Sequence, residues 1–98
     1  MKMYILILDT AAIPIAINSA AHAGLIGYLT FQDRPLTKTW LDTSFKKVTV
    51  KVNEDQLREA LLSPDLHPVH ERGALVGAVS APGSLLKLLK KLPLYDLT

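Results

Sequence analysis

Four polar residues near the N-terminus have types and spacings that could support chemistry. Asp9 directly follows an apolar run, and Asn18, Ser19 and His22 lie close together further along the chain. Spacings of i, i+4 and i, i+3 place Asn18 and Ser19 on the same side of a helix as His22. Because the N-terminus of a helix carries partial positive charge, such a group can hold an anion or a polarised carbonyl.

His22 is the member of this set that can transfer a proton near neutral pH. A carboxylate at Asp9 would orient the imidazole, with one nitrogen facing a concave surface that Asn18 also lines. The alternative is structural: Asn18 and Ser19 cap the helix while His22 packs with a single hydrogen bond. A Ser–His pair within one helical turn rarely has nucleophile geometry, so we expect no catalytic triad.

A second polar cluster, His67, His70 and Glu71, raises the question of a metal site shared with His22. Imidazole and carboxylate ligands suit zinc. However, the spacing matches no zinc motif, and Pro68 prevents a regular helix through the segment. We therefore expect no metal and no cofactor, and interpret the segment as a solvated edge strand.

The elements that must position these residues include four predicted strands. Continuous apolar runs at 4–8 and 74–80 are typical of central strands covered on both faces. Over 47–52, valines alternate with lysine and threonine, which predicts a strand with one face in water. A short polar strand at 69–72 completes the set.

Three helices are predicted between and after these strands. The first begins at an Asn18 or Ser19 cap, and the second at Asn53, where Gln56 can complete a capping box. A third, at 84–91, turns leucines inward and lysines towards water. Segment 32–45 is predicted as a long loop whose Trp40 and Phe45 either stack on a ligand or anchor the loop.

This order predicts an α/β fold: a three-layer α/β/α arrangement with a mixed sheet of about four strands, in one domain spanning 1–98. A ferredoxin-like topology is the competing arrangement. The predicted core consists of apolar residues drawn from every predicted helix and strand except the polar strand at 69–72: Ile5, Ile7, Leu25, Val48, Val50, Leu57, Leu61, Val76, Val79 and Leu88.

The composition is that of a small folded domain without a strong electrostatic signature. Of 98 residues 49% are hydrophobic, and 11 Lys and Arg oppose 9 Asp and Glu, for a net charge of +2. We expect no nucleic-acid partner from so weak a charge. Segment 10–32 contains proline, asparagine and glycines, which argues against a membrane span. The lack of cysteine suits a reducing compartment, and we expect a cytoplasmic protein. The high apolar content predicts a homodimer.

Three segments have a recognisable order: YILILDTAAIPIAINSAAHAGLIG, KKVTVKVNEDQLREAL and ALVGAVSAPGSLLKLLKKLPLYDL. Together they resemble a family of small uncharacterised proteins related to the type 2 peptidyl-tRNA hydrolases. Members carry an Asn and small residues before a helix histidine and end in a Leu-Pro-Leu segment. The resemblance covers most of the chain except 30–45, and it implies a fold similar to that of the hydrolases.

The hydrolases themselves have a Lys-Gly-Lys entry to this helix, followed by Ala-Ala-Gln-x-x-His-Ala. His22 and Ala23 match the end of that pattern, but Ser19 stands in place of the glutamine and Pro14 near the position of the lysine. A shared fold does not carry the activity with it. We therefore expect a protein that binds a small ligand near the first helix, through Asp9, Asn18, Ser19 and His22. The alternative is a hydrolase of an ester or amide that uses His22 as its catalytic residue.

Overall fold

The protein's structure, a computed structural model, describes residues 1–95; the last three residues of the domain predicted over 1–98 lie outside the described residues. The chain forms a mixed sheet of four strands flanked by helices. The elements in chain order are β1 (Lys2–Leu8), α1 (Ile13–Phe31), α2 (Pro35–Asp42), β2 (Lys46–Val52), α3 (Glu54–Leu61), β3 (Leu66–Glu71), β4 (Ala74–Ser80) and a 3₁₀ helix (Lys87–Lys91).

The strands lie in the order β2-β1-β4-β3. Strand β1 pairs in parallel with β2 and antiparallel with β4, which in turn pairs antiparallel with β3. The two continuous apolar runs are the central strands, while the alternating strand and the polar strand lie at the edges. The predicted mixed sheet of four strands is thus confirmed. The apolar runs predicted its central strands correctly, because a strand that is covered on both faces must be apolar throughout.

Two glycines shape the β3–β4 hairpin. Arg72 and Gly73 form its turn with φ values of 51° and 81°, the left-handed pair that a two-residue hairpin requires. The register of β3 against β4 shifts between Val69 and His70, which marks a β-bulge. On the neighbouring strand, a Cβ at Gly77 would collide with the backbone carbonyl of Leu6, so only glycine fits there.

Apolar side chains pack against both faces of the sheet. On one face, Met3, Ile5 and Ile7 of β1 contact small residues of α1 and the ring of Trp40. On the other face, Leu6 and the valines of β2 contact Leu57 of α3 and the leucines of the C-terminal 3₁₀ helix. The sheet is therefore the centre of the core, and removal of its apolar area from water is the main source of stability.

Helix α1 begins five residues earlier than the predicted Asn18 cap. Its N-cap is Ala12, and Pro14 lies in the first turn, where a proline costs no hydrogen bond. The predicted start at Asn18 or Ser19 was wrong because it treated Pro14 as part of an extended segment before the helix. Asn18 and Ser19 consequently lie inside the helix rather than at its cap.

The buried side of α1 is built from small residues: Ala16, Ser19, Ala23 and Gly27, followed by Phe31. A Cβ at Gly27 would lie 2.7 Å from a methyl carbon of Val79, so the helix approaches the sheet closely at this point. Four large apolar residues of the helix, Ile13, Ile17, Leu25 and Leu29, are exposed; the predicted burial of Leu25 was wrong, since this side chain is 62% exposed. Within residues 1–95, none of the helices is long and apolar enough to cross a membrane.

The predicted loop over 32–45 was also wrong, because it contains helix α2. Pro35 occupies the first turn, and Thr37 and Trp40 are buried. The Nε1–H group of Trp40 donates to the backbone carbonyl of Lys46 at 2.8 Å, which anchors the helix beside the start of β2. The absence of a clear apolar period reflects a helix that buries only one large residue.

Helix α3 begins as predicted. The Asn53 side chain accepts from the N–H group of Gln56, and the Gln56 side chain accepts from the N–H group of Asn53. Most of the predicted core is confirmed as buried: Ile5, Ile7, Val50, Leu57, Val76 and Val79. Three further residues are half-buried at its margin: Val48, Leu61 and Leu88. The C-terminal helix is shorter than predicted, and Leu85, which precedes it, is exposed.

Candidate functional site

The four residues predicted to form a site lie in different surroundings. Asp9 is exposed in the turn after β1, where its backbone N–H donates to the carbonyl of Val52. Asn18 is exposed on α1, while Ser19 is fully buried against the sheet. The side chain of His22 is 56% exposed. Because α1 begins at Ile13, Asn18 and Ser19 both lie inside the helix, where consecutive side chains point about 100° apart.

The carboxylate that meets His22 is Glu71 of β3 rather than Asp9. Nε2 of His22 lies 3.5 Å from Oε2 of Glu71, whose side chain is only 17% exposed. The contact arises because α1 packs over β3 and β4 as well as β1. Glu71 can orient the imidazole, which is the role predicted for Asp9.

The Ser19 hydroxyl is not a nucleophile for His22. Its Oγ is completely buried and has no hydrogen-bond partner among the described residues, as is also true of Thr37. Ser19 faces the sheet, whereas His22 lies on the exposed side of the helix. Among residues 1–95, no group of three or more acidic or histidine side chains is placed to hold a metal ion.

A cavity of about 300 Å³ lies on the other side of α1, beside the edge strand β2. It exists because α1 packs against the other three strands and leaves the facing side of β2 uncovered. The cavity is lined by residues of α1, β1, β2 and the C-terminal segment: Ile7, Ala16, Ile17, Ala20, Thr49 and Tyr95. We refer to it as the Tyr95 cavity.

The outer wall of the Tyr95 cavity is held by backbone hydrogen bonds to β2. The N–H group of Tyr95 donates to the carbonyl of Thr49, and the N–H group of Lys51 donates to that of Pro93, both at 2.9 Å. Leu94 forms an antiparallel bridge with Val50. This segment covers the outer edge of β2 and places the Tyr95 ring over the sheet face.

The chemistry of the Tyr95 cavity is that of an apolar site with two hydroxyl groups. Apart from Thr49 and Tyr95, its lining side chains are aliphatic, and none is charged. Hydroxyl groups donate and accept hydrogen bonds, so they can orient an uncharged ligand. The lining of this cavity includes no residue suited to proton transfer near neutral pH.

His22 does not line this cavity. It follows Ala20 by two residues and is therefore turned by about 200° around the helix axis. Ala20 faces β2 at one edge of the sheet, whereas His22 reaches β3 at the opposite edge. The predicted concave surface shared by His22 and Asn18 does not coincide with any of the cavities described here.

A second cavity, of about 390 Å³, continues along α1 towards α2. We refer to it as the Phe45 cavity; its lining is formed by Gly24, Leu25, Tyr28, Trp40, Leu41, Phe45 and Lys47. The Lys47 stem packs against α1, since its Cδ lies 3.7 Å from where a Cβ on Gly24 would be. Lys47 lines the Phe45 cavity, and Thr49, two residues further along β2, lines the Tyr95 cavity.

A third depression, near the start of α2, is a structural junction. Arg34 donates to one oxygen of Asp65 at 2.7 Å, and Ser84 donates to the other at the same distance. Hydrogen bonds from Arg34 and then from Ser84 lower the pKa of Asp65, against the opposing effect of its partial burial. The junction ties three chain segments together and leaves neither charge free for a ligand.

The alternation of side chains along β2 pointed to the strand face that forms both cavities, but it was interpreted only as a solvent-facing surface. Lys47 and Thr49 belong to the face of β2 that alternation assigned to solvent, and that face, which α1 leaves uncovered, is the floor of the two cavities. Tyr95 carried no local signal, because its place depends on the path of the C-terminal segment across β2.

No protein-family model matches the sequence. The curated proteins likewise contain no match to it.

Proposed function

We propose that this protein binds a small, uncharged and mostly apolar molecule in the Tyr95 cavity, beside the first helix. The observation that carries the proposal is a concave site with aliphatic walls and two hydroxyl groups, those of Thr49 and Tyr95. Small-molecule sites are commonly apolar with a few polar groups that fix orientation. A ligand of one or two rings fits a volume of about 300 Å³.

The binding proposal replaces the site predicted from Asp9, Asn18, Ser19 and His22 but keeps its place beside α1. The ligand would lie against Ala16, Ile17 and Ala20, with its polar group towards Thr49 or Tyr95. A screen of uncharged fragments, followed by chemical-shift mapping, tests this assignment. Binding that perturbs these residues supports it, and fragments that bind only elsewhere contradict it.

Hydrolysis of an ester or amide is the second candidate, and the His22–Glu71 pair favours it. A carboxylate beside a histidine is the arrangement that orients a general base. In that case His22→Ala would abolish hydrolysis of a p-nitrophenyl ester, and Thr30→Ala, a change at another exposed position of α1, would leave it unchanged. Equal rates of ester hydrolysis for both variants and the parent would contradict the hydrolase proposal.

We also propose the three-layer architecture of the type 2 peptidyl-tRNA hydrolases for this domain. The sheet order β2-β1-β4-β3 and the apolar clusters on both of its faces support the proposal. We propose a cytoplasmic location as well, since a chain without cysteine suits a reducing compartment. Peptidyl-tRNA hydrolysis is not proposed, because a net charge of +2 offers little to an RNA backbone.

Self-association through α1 is the final part of the proposal. The helix carries a row of outward residues with i, i+4 spacing, and four of them are exposed large apolar side chains: Ile13, Ile17, Leu25 and Leu29. Such rows are the ridges by which two helices pack against each other. A second copy of this chain, with its α1 crossing the first, would remove this row from water.

A further inference from the structure

The Phe45 cavity differs from the Tyr95 cavity in having aromatic walls and one charge. Tyr28, Trp40 and Phe45 contribute three rings, and Lys47 is the only charged residue of its lining. We propose that the Phe45 cavity is a second binding site, which takes a small aromatic carboxylate. This site is independent of the ligand proposed for the Tyr95 cavity.

Two of the three rings, those of Trp40 and Phe45, are held in place without a ligand. Trp40 is buried and hydrogen-bonded to Lys46, so it forms a fixed floor. Phe45 lies 5.0 Å from it between ring centroids, at an interplanar angle of 43°. The backbone of Phe45 has a φ of 48°, and its N–H group donates to the Trp40 carbonyl at 2.7 Å. A left-handed conformation is costly for an aromatic residue, yet here it keeps a ring 53% exposed beside a cavity.

Lys47 supplies the charge that selects an anion. Its Nζ lies 3.3 Å from the centroid of the Phe45 ring and donates to the Phe45 carbonyl at 3.0 Å. An ammonium group has three N–H donors, so two remain for a ligand. Within residues 1–95, no carboxylate lies at ion-pair distance from it.

A carboxylate fits this arrangement better than a cation does. Lys47 already occupies the face of Phe45 where a cationic ligand would bind, so such a ligand would have to displace it. A carboxylate would accept hydrogen bonds from the ammonium as it stands, while its ring packs against Tyr28, Leu25 and Leu41. The ligand class is therefore an aromatic ring of one or two cycles that bears a carboxylate.

The test compares 2-naphthoate with uncharged 2-naphthamide, using chemical-shift titrations of the full chain. Lys47→Met keeps the stem that packs on Gly24 but removes the charge. Lys51→Met is the matched control, because Lys51 lies on the same strand face but outside the lining of this cavity. Phe45→Asn removes the ring and keeps a residue that tolerates a positive φ. Each variant is first shown to be folded by its amide spectrum.

The proposal predicts that naphthoate perturbs Tyr28, Leu41 and Lys47 and binds about tenfold or more tightly than naphthamide. Lys47→Met should lose about tenfold in affinity, Phe45→Asn several-fold, and Lys51→Met less than about twofold. Equal affinity for the two probes would overturn the proposal. So would equal losses for the two lysine variants, or perturbations centred on Ile7 and Thr49 of the other cavity.

Discussion

Nη1 of Arg34 lies 2.7 Å from Oδ1 of Asp65, and this ion pair joins the start of α2 to the loop before β3. The second carboxylate oxygen of Asp65 accepts from the Ser84 hydroxyl, and the backbone carbonyl of Asp65 accepts from the N–H group of Ala81. One carboxylate thus connects the segments before α2, before β3 and after β4.

Stability should fall in acid partly through Asp65. Its pKa is lowered in the folded protein by the hydrogen bonds from Arg34 and Ser84, so folding favours the ionised form. The contribution is present above the pKa of the unfolded chain, about 4, and is lost as pH falls through the folded value. Asp65→Asn should therefore cost about 1 kcal/mol at pH 7, because the pair is partly exposed, and less in acid.

Urea unfolding of both proteins between pH 3 and 7 measures this difference. The parent and Asp65→Asn should approach each other in free energy of unfolding as pH falls. A gap that stays constant over the whole range would show that Asp65 does not titrate as described.

Two leucines of α3 should differ in their contribution to stability. Leu57 is 1% exposed, so Leu57→Ala should cost about 2–4 kcal/mol through lost burial and a cavity. Leu61 is only half-buried, and Leu61→Ala should cost about 1–2 kcal/mol. Equal shifts in the urea midpoint for the two variants would contradict this difference in burial and would require a different orientation of α3 against the sheet.

Two glycines of one hairpin should respond unequally to alanine. A Cβ at Gly77 would meet the carbonyl of Leu6, and two strands would have to move apart, so Gly77→Ala should cost more than about 3 kcal/mol. Gly73 has open space around it but a φ of 81°, and Gly73→Ala should cost about 1–2 kcal/mol. Thermal unfolding midpoints in the reverse order would contradict the register of β4 against β1.

Part of this fold could be predicted because it depends on local patterns. The apolar runs of β1 and β4 and the Asn53–Gln56 capping box each specify their element within a few residues. The start of α1 was missed because Pro14 is equally compatible with a helical first turn and an extended segment. Helix α2 was missed because one buried tryptophan leaves no apolar stripe in its sequence.

The sites were harder to predict, because they depend on which elements pack together. The pairing of His22 with Glu71 requires α1 to reach β3, and the Tyr95 cavity requires it to leave β2 uncovered. Leu25 looked like a core residue because it is large and apolar. However, α1 packs so closely on the sheet at Gly27 that the buried side of the helix consists mostly of smaller residues.

Self-association should be removed by one charge on the outer row of α1. Leu29 is 52% exposed and lines neither cavity described on that helix. The parent should give a dimer mass by light scattering at tens of micromolar, and Leu29→Glu a monomer mass. Leu62→Glu, at an exposed position after α3, should remain a dimer. A monomer mass for the parent would end the proposal.

Ligand binding in the Tyr95 cavity is tested most directly by filling that cavity. Ala20 lines it, while Ala21 is exposed on the next position of the same helix. The measurement is the affinity of uncharged fragments, 2-naphthol among them, for the parent, Ala20→Phe and Ala21→Phe, with chemical shifts to locate the bound fragment. The parent and Ala21→Phe should bind with perturbations at Ala16 and Thr49, whereas folded Ala20→Phe should lose at least about tenfold in affinity. Unchanged binding by Ala20→Phe, or no binding by the parent, would contradict the assignment of this cavity as the ligand site.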